Sequence, residues 1–149
     1  MAEVLFYHLT ESTLEEALPG LLEKSLERGW KAVVQTGTEE RRDALDQHLW
    51  TFRDDSFLAH ATDREAHQAD QPVLLTTGQG NGNGAEIRFI VDGATPPDLD
   101  GYQRAVFLFD GHDQAQLEAA REEWKKLKVG SHQVTYWQQT PERRWERKA

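Results

Sequence analysis

The strongest constraint on the fold is an alternation near the start of the chain: an apolar run, a helix signal, a second apolar run and a second helix signal. Residues 4–9 (Val4, Leu5, Phe6, Tyr7, His8, Leu9) are apolar enough for a strand buried on both faces. Ser12, Thr13, Leu14 and Glu15 then have capping-box spacing, with Leu14, Leu18, Leu21, Leu22 and Leu26 forming the apolar face of a helix. Pro19-Gly20 predicts a kink or a restart in that helix, and Gly29 a C-terminal cap. Residues 30–35 read as a second strand, and Thr36-Gly37-Thr38 as a turn and helix cap. Residues 39–50 follow as a second helix, with Ala44, Leu45 and Leu49 inward. Strand–helix–strand–helix order implies a right-handed crossover and parallel strands.

The remaining segments extend this pattern. Residues 51–71 form a polar connection with one apolar spot, Phe57-Leu58, and so long a stretch without periodicity often carries function or meets a partner. Strands are expected at 72–77, 86–91, 105–109 and 133–137, with a third helix over 113–128. The expected fold is α/β: a three-layer α/β/α Rossmann-like sandwich around a mainly parallel, mixed sheet. One domain should cover 1–140, with 141–149 as a basic, solvated C-terminal tail.

Composition narrows the chemistry. The 149 residues include no cysteine, which removes thiol catalysis, thiolate metal sites and disulfides. A formal charge of −9 disfavours a broad nucleic-acid surface, because counterion release needs many cations aimed at phosphates. No apolar run is long enough for a membrane span and no basic n-region precedes Val4, so the expected location is the cytoplasm.

No stretch reads as a reaction centre. The glycines Gly78, Gly80, Gly82 and Gly84 invite comparison with a phosphate loop, and a small nucleotide-binding Rossmann-like enzyme is the alternative they raise. Such a loop needs a helix directly after it, whereas residues 86–91 read as a strand, and Asn-Gly pairs favour a hairpin turn. The six histidines show no metal-ligand spacing; His60 and His67 are expected as surface residues. Asp54, Asp55, Asp98 and Asp100 read as solvated acids without a neighbouring base. No cofactor and no metal are expected.

The third helix is the better functional candidate. Leu117, Ala120, Trp124 and Leu127 recur at helical steps, and Arg121, Lys125 and Lys128 form a basic row beside them. An indole flanked by cations suits an acidic peptide with a hydrophobic tip, although a packed helix with a solvated edge shares the pattern.

Several stretches together resemble the chi subunit of the bacterial DNA polymerase III holoenzyme. They are Val4-Leu5-Phe6-Tyr7, Arg28-Gly29-Trp30-Lys31-Ala32-Val33-Val34, Leu45-Asp46 with Leu49-Trp50, Ser56-Phe57-Leu58-Ala59-His60, and Ala120-Arg121 with Trp124-Lys125. Leu49-Trp50 followed by Ser56-Phe57 and His60 is the most specific of these, and the order holds from Val4 to about Gln138. The resemblance implies a non-catalytic clamp-loader accessory subunit. Its implied partners are the psi subunit and the acidic C-terminal tail of single-stranded DNA-binding protein, with nucleic acid met only indirectly. Arg121, Trp124 and Lys125 match the family's tail-receiving positions, and helical geometry adds Lys128. Trp50 and Phe57 match positions on the psi-binding side. Trp124 stands where the family can carry tyrosine, and Leu117 where it can carry a basic side chain.

Overall fold

The computed structural model describes residues 2–51, 60–64 and 68–149. The described strands are β1 (Glu3–Leu9), β2 (Ala32–Gln35), β3 (Ala61–Thr62), β4 (Val73–Thr76), β5 (Ile87–Val91), β6 (Arg104–Asp110), β7 (Gln133–Gln139) and β8 (Trp145–Arg147). The helices are α1 (Leu14–Glu27), α2 (Glu39–Thr51) and α3 (Gln114–Lys128), with a short 3-10 turn at Gln68–Asp70. The sheet runs β3-β4-β2-β5-β6-β1-β7-β8. Every described pairing is parallel except β7 with β8. The expected α/β sandwich with a mainly parallel, mixed sheet is therefore the fold observed.

The strands are apolar on both faces because helices lie on both sides. Along β6, Val106 and Leu108 enter a core with Leu18 and Leu22 of α1 and Leu45 and Leu49 of α2. Their neighbours Ala105, Phe107 and Phe109 enter the opposite core with Phe6 and with Ala120 of α3. The first two helices thus cover one face and α3 the other.

Local sequence explains the helix ends. The capping box of α1 begins one residue later than the spacing suggested: Thr13 accepts from Glu16 N, and the Glu16 carboxylate accepts from Thr13 N at 3.0 Å. At the other end Trp30 N donates to Ser25 O and Gly29 N to Leu26 O, with Gly29 at φ 82°. That pair of bonds is a Schellman motif, whose left-handed residue favours glycine. Pro19 neither breaks nor restarts α1, which is continuous over its 14 residues. Proline removes the amide that would donate to Glu15 O, and His48 Nε2 from α2 donates there instead at 2.7 Å.

Three differences from the sequence expectations bear on function. The connection after α2 contains β3, anchored where the buried Arg42 guanidinium meets Asp63 at 2.8 Å and Asp63 accepts from Thr76 Oγ1. Within 141–149, expected as a solvated tail, residues 145–147 form β8, and Trp145 stacks on Tyr7 at 4.4 Å. The glycine-rich stretch is not a hairpin turn, because β4 and β5 lie on opposite sides of β2.

That stretch instead wraps a buried cation. Arg88 of β5 is fully buried beneath the glycine-rich stretch. Its five N–H groups are all used: Nε and Nη2 donate to Gln35 Oε1, Nη2 also to Gly78 O, and Nη1 to Gly80 O and Tyr102 Oη. Burial pulls the Arg88 pKa below its ordinary value, while the Tyr102 hydroxyl opposes that shift. Neutral acceptors replace the missing carboxylate, so the loop and strand hold each other.

Candidate functional site: the aromatic face of α3 and β7

Helix α3 opens on Asp113, whose side chain accepts from Gln116 N at 3.2 Å. Its interior is alanine, leucine, glutamate, arginine and lysine, all good helix formers, and Lys125, Lys126 and Lys128 in the last turn oppose the dipole of the carbonyl end. Ala120 is the one residue of α3 that is fully buried. Its small side chain lets the helix approach the sheet, so Trp124 one turn later lies half-buried at the border.

The indole of Trp124 meets two rings edge-on. Phe6 of β1 lies at 5.5 Å and Tyr136 of β7 at 5.6 Å between centroids. Phe6 in turn stacks on Phe107 at 4.5 Å, so the core of the sheet fixes the indole. Lys128 Nζ sits 5.1 Å from the Trp124 centroid, within cation–π range.

The four predicted tail-site residues therefore share one surface. Arg121 is exposed one turn from Trp124 and near enough to Tyr136 and His8 to act on the charge of both. Among the described residues, no carboxylate pairs with Arg121 or Lys128. Lys125 reaches only Glu122, at 3.7 Å and largely in solvent, a contact worth little. A surface that leaves guanidinium and ammonium groups unpaired beside an aromatic wall is disposed to take carboxylates.

The sequence reasoning missed that the wall continues. Tyr136 Oη is 2.9 Å from His8 Nδ1, and the His8 ring stacks on Phe109 at 5.1 Å. Burial is the largest influence on both groups: it pushes the Tyr136 pKa up, against the nearby Arg121 charge, and the His8 pKa down, where His112 and Arg121 add to it and Asp110 opposes it. Alternation along β7 signals that Val134 and Tyr136 share a face. Only the β1–β7 register, with Phe6 opposite Tyr136, brings His8 to that hydroxyl.

The predicted partner surface around Trp50 lies on the other side of the sheet, at the end of α2. Trp50 is 47% exposed and stands against the His60 ring at 4.2 Å. His60, expected at the surface, is buried, and its Nε2 lies 3.0 Å from Asp46 O and 3.2 Å from Asp46 Oδ1. Phe57, Asp54, Asp55 and His67 lie outside the described residues. Asp100, expected without a neighbouring base, has His132 Nε2 at 3.4 Å, and His132 Nδ1 accepts from Ala2 N. That contact ties the chain start to β7 rather than building a site.

The geometry does not favour the nucleotide alternative. No helix follows Gly84, so the loop lacks the helix N-terminus that phosphate binding uses. The crevice between the C-terminal ends of β1 and β6, where such folds bind nucleotides, is lined by Glu15, Asp92 and Asp110. Its cation, Arg41, is already paired with Glu15 at 2.6 Å and Asp92 at 3.1 Å. Among the described residues, no three histidines or carboxylates are placed to hold a metal. No described helix is long and apolar enough to cross a membrane.

Fold and surface together define an α/β sandwich of the Rossmann-like class with a cation-edged aromatic face. The family model described as "DNA polymerase III chi subunit, HolC" matches residues 1–135, and the chain belongs to that family. A protein named "Probable DNA polymerase III subunit chi" from Rickettsia prowazekii (strain Madrid E) is 26% identical over 99 residues, 66% of this chain and 58% of that protein. The "DNA polymerase III subunit chi" of Pseudomonas aeruginosa is 28% identical over 105 residues, 70% of this chain and 72% of the relative. The chain thus spans under three fifths of the length of the first relative.

Proposed function

We propose that this protein is a non-catalytic accessory subunit of the DNA polymerase III clamp-loader complex, acting in the cytoplasm. Its α3–β7 face receives the acidic C-terminal tail of single-stranded DNA-binding protein, which links the replicase to coated template. Its Trp50 side pairs with the psi subunit. The observation that carries the tail assignment is Trp124, fixed edge-on between Phe6 and Tyr136, with Arg121 and Lys128 beside it left without carboxylate partners among the described residues. An apolar terminal side chain packs against the indole, the guanidinium takes the terminal carboxylate, and the lysines follow the acidic residues before it.

A labelled Asp-rich peptide ending in an apolar residue should bind, and binding should weaken roughly tenfold between about 50 and about 300 mM salt. Amidating its terminal carboxylate should weaken binding further. Affinity insensitive to salt and to amidation would refute the assignment.

The second partner has its own test. Precipitation from native lysate should bring down polymerase subunits and single-stranded DNA-binding protein. Trp50→Ala should reduce the former while sparing the latter, since Trp50 and α3 lie on opposite faces. Equal loss of both would place the two partners on one surface.

A further inference from the structure

The aromatic wall does not stop at Trp124. It runs through Tyr136 to His8 and Phe109 at the C-terminal ends of β1 and β6, with centroid separations of 5.6, 6.1 and 5.1 Å. Lys128 and then Arg121 accompany it along one side, and the exposed His112 lies beyond them before the helix. From Lys128 back to His112 is roughly 24 Å along the helix axis, a span that about seven extended residues cover. An acidic ligand longer than its last few residues would therefore reach the end where His8 and His112 lie.

We propose that the acidic ligand of this face is bound together with a proton, taken up by His8, with Tyr136 as the hydroxyl that relays the change to a ligand carboxylate. The proposal rests on the tail-binding function above and adds a positioning residue that the family resemblance does not assign.

The hydrogen-bonding logic follows from atoms already placed. With His8 Nδ1 unprotonated, the Tyr136 hydroxyl donates to it across 2.9 Å. That proton then faces inward, and only the oxygen lone pairs face a ligand, which repels a carboxylate. Protonation of Nδ1 reverses the bond: the imidazolium donates to Tyr136 Oη, and the hydroxyl proton turns outward to a carboxylate oxygen. No covalent bond changes; one proton passes from water to imidazole and one hydroxyl rotates. The His8 ring cannot swing away, because Phe109 stacks on it and Gly111 lies so close that a Cβ there would collide with the imidazole.

Four groups set the charge on His8 in the free protein. His112 from the loop before α3 and Arg121 from α3 disfavour its protonation, Asp110 at the end of β6 favours it, and the Tyr136 hydroxyl of β7 accepts or donates. Burial is the largest influence and, with His112 and Arg121, holds the His8 pKa below its ordinary value, so the imidazole is neutral in the free protein at neutral pH. A carboxylate arriving beside Arg121 offsets that cation and raises the His8 pKa. The sign follows by linkage: binding takes up a proton, so affinity rises as pH falls through the bound-state pKa and levels off below the free-state value.

The test is a peptide titration with the intact protein between about pH 8 and about pH 5.5, where aspartates of the ligand stay ionised. Affinity should increase roughly fivefold over that range, short of the tenfold per pH unit that one proton can supply at most. His8→Gln should match the wild type at the upper end and lose the increase. Tyr136→Phe, which keeps the ring, should lose it too, and His112→Gln should retain it. A flat wild-type profile, or an increase that survives His8→Gln or disappears in His112→Gln, would overturn the proposal. Absence of binding at every pH, or binding indifferent to Arg121→Ala, would instead remove the tail-site assignment itself.

Discussion

Arg88→Ala should destabilise the protein by about 3–5 kcal/mol, read as a lower urea midpoint with an unchanged slope. The wild-type guanidinium satisfies Gln35 Oε1, Gly78 O, Gly80 O and Tyr102 Oη at 2.7–3.2 Å. Truncation leaves those acceptors facing a cavity in a buried place, and each unsatisfied group costs roughly 1–3 kcal/mol before water enters. Arg88→Lys should recover part of the loss, because one ammonium offers three donors where the guanidinium offered five. A loss below about 1 kcal/mol for Arg88→Ala would mean the glycine loop is held by something other than this cation.

Trp124→Ala should act on stability and on binding at once. The indole packs on Phe6 and Tyr136 and carries Lys128 above it, so its removal should cost about 3 kcal/mol, in the usual range for a large aromatic cut back to alanine. Peptide affinity should fall at least tenfold, as expected for loss of a central aromatic anchor. Trp124→Tyr separates the two effects by keeping an aromatic wall: it should cost about 1 kcal/mol and retain most of the affinity. Full affinity in Trp124→Ala would show that the indole is core alone, the plainer possibility that the helical pattern also allowed.

Much of this was legible in the sequence because the signals were local. Strand and helix alternation specified a parallel sandwich, and the three- and four-residue steps of α3 brought Arg121, Trp124, Lys125 and Lys128 onto one surface. The features that escaped depend on register or on distant partners. Pro19 reads as a helix breaker until His48, on another helix, satisfies the carbonyl it orphans. The glycine stretch reads as a hairpin until strand order separates its flanking strands and Arg88 gives its carbonyls a donor. Residues 145–147 read as part of a charged tail because three residues are too few for periodicity; antiparallel pairing with β7 makes them a strand, and Trp145 stacks on Tyr7. His8 and Tyr136 lie 128 positions apart, so only the β1–β7 pairing makes them neighbours.

The most direct measurement is the affinity of the Asp-rich peptide for wild type and for Arg121→Ala at low salt, with thermal unfolding of both proteins recorded alongside. Arg121 is exposed and has no ion-pair partner among the described residues, so its truncation should leave unfolding within about 0.5 kcal/mol of wild type. Loss of a charge-assisted bond to a carboxylate should weaken the peptide at least tenfold, about 1.4 kcal/mol or more. Equal affinity for the two proteins, with unfolding unchanged, would contradict the placement of the acidic tail on this face.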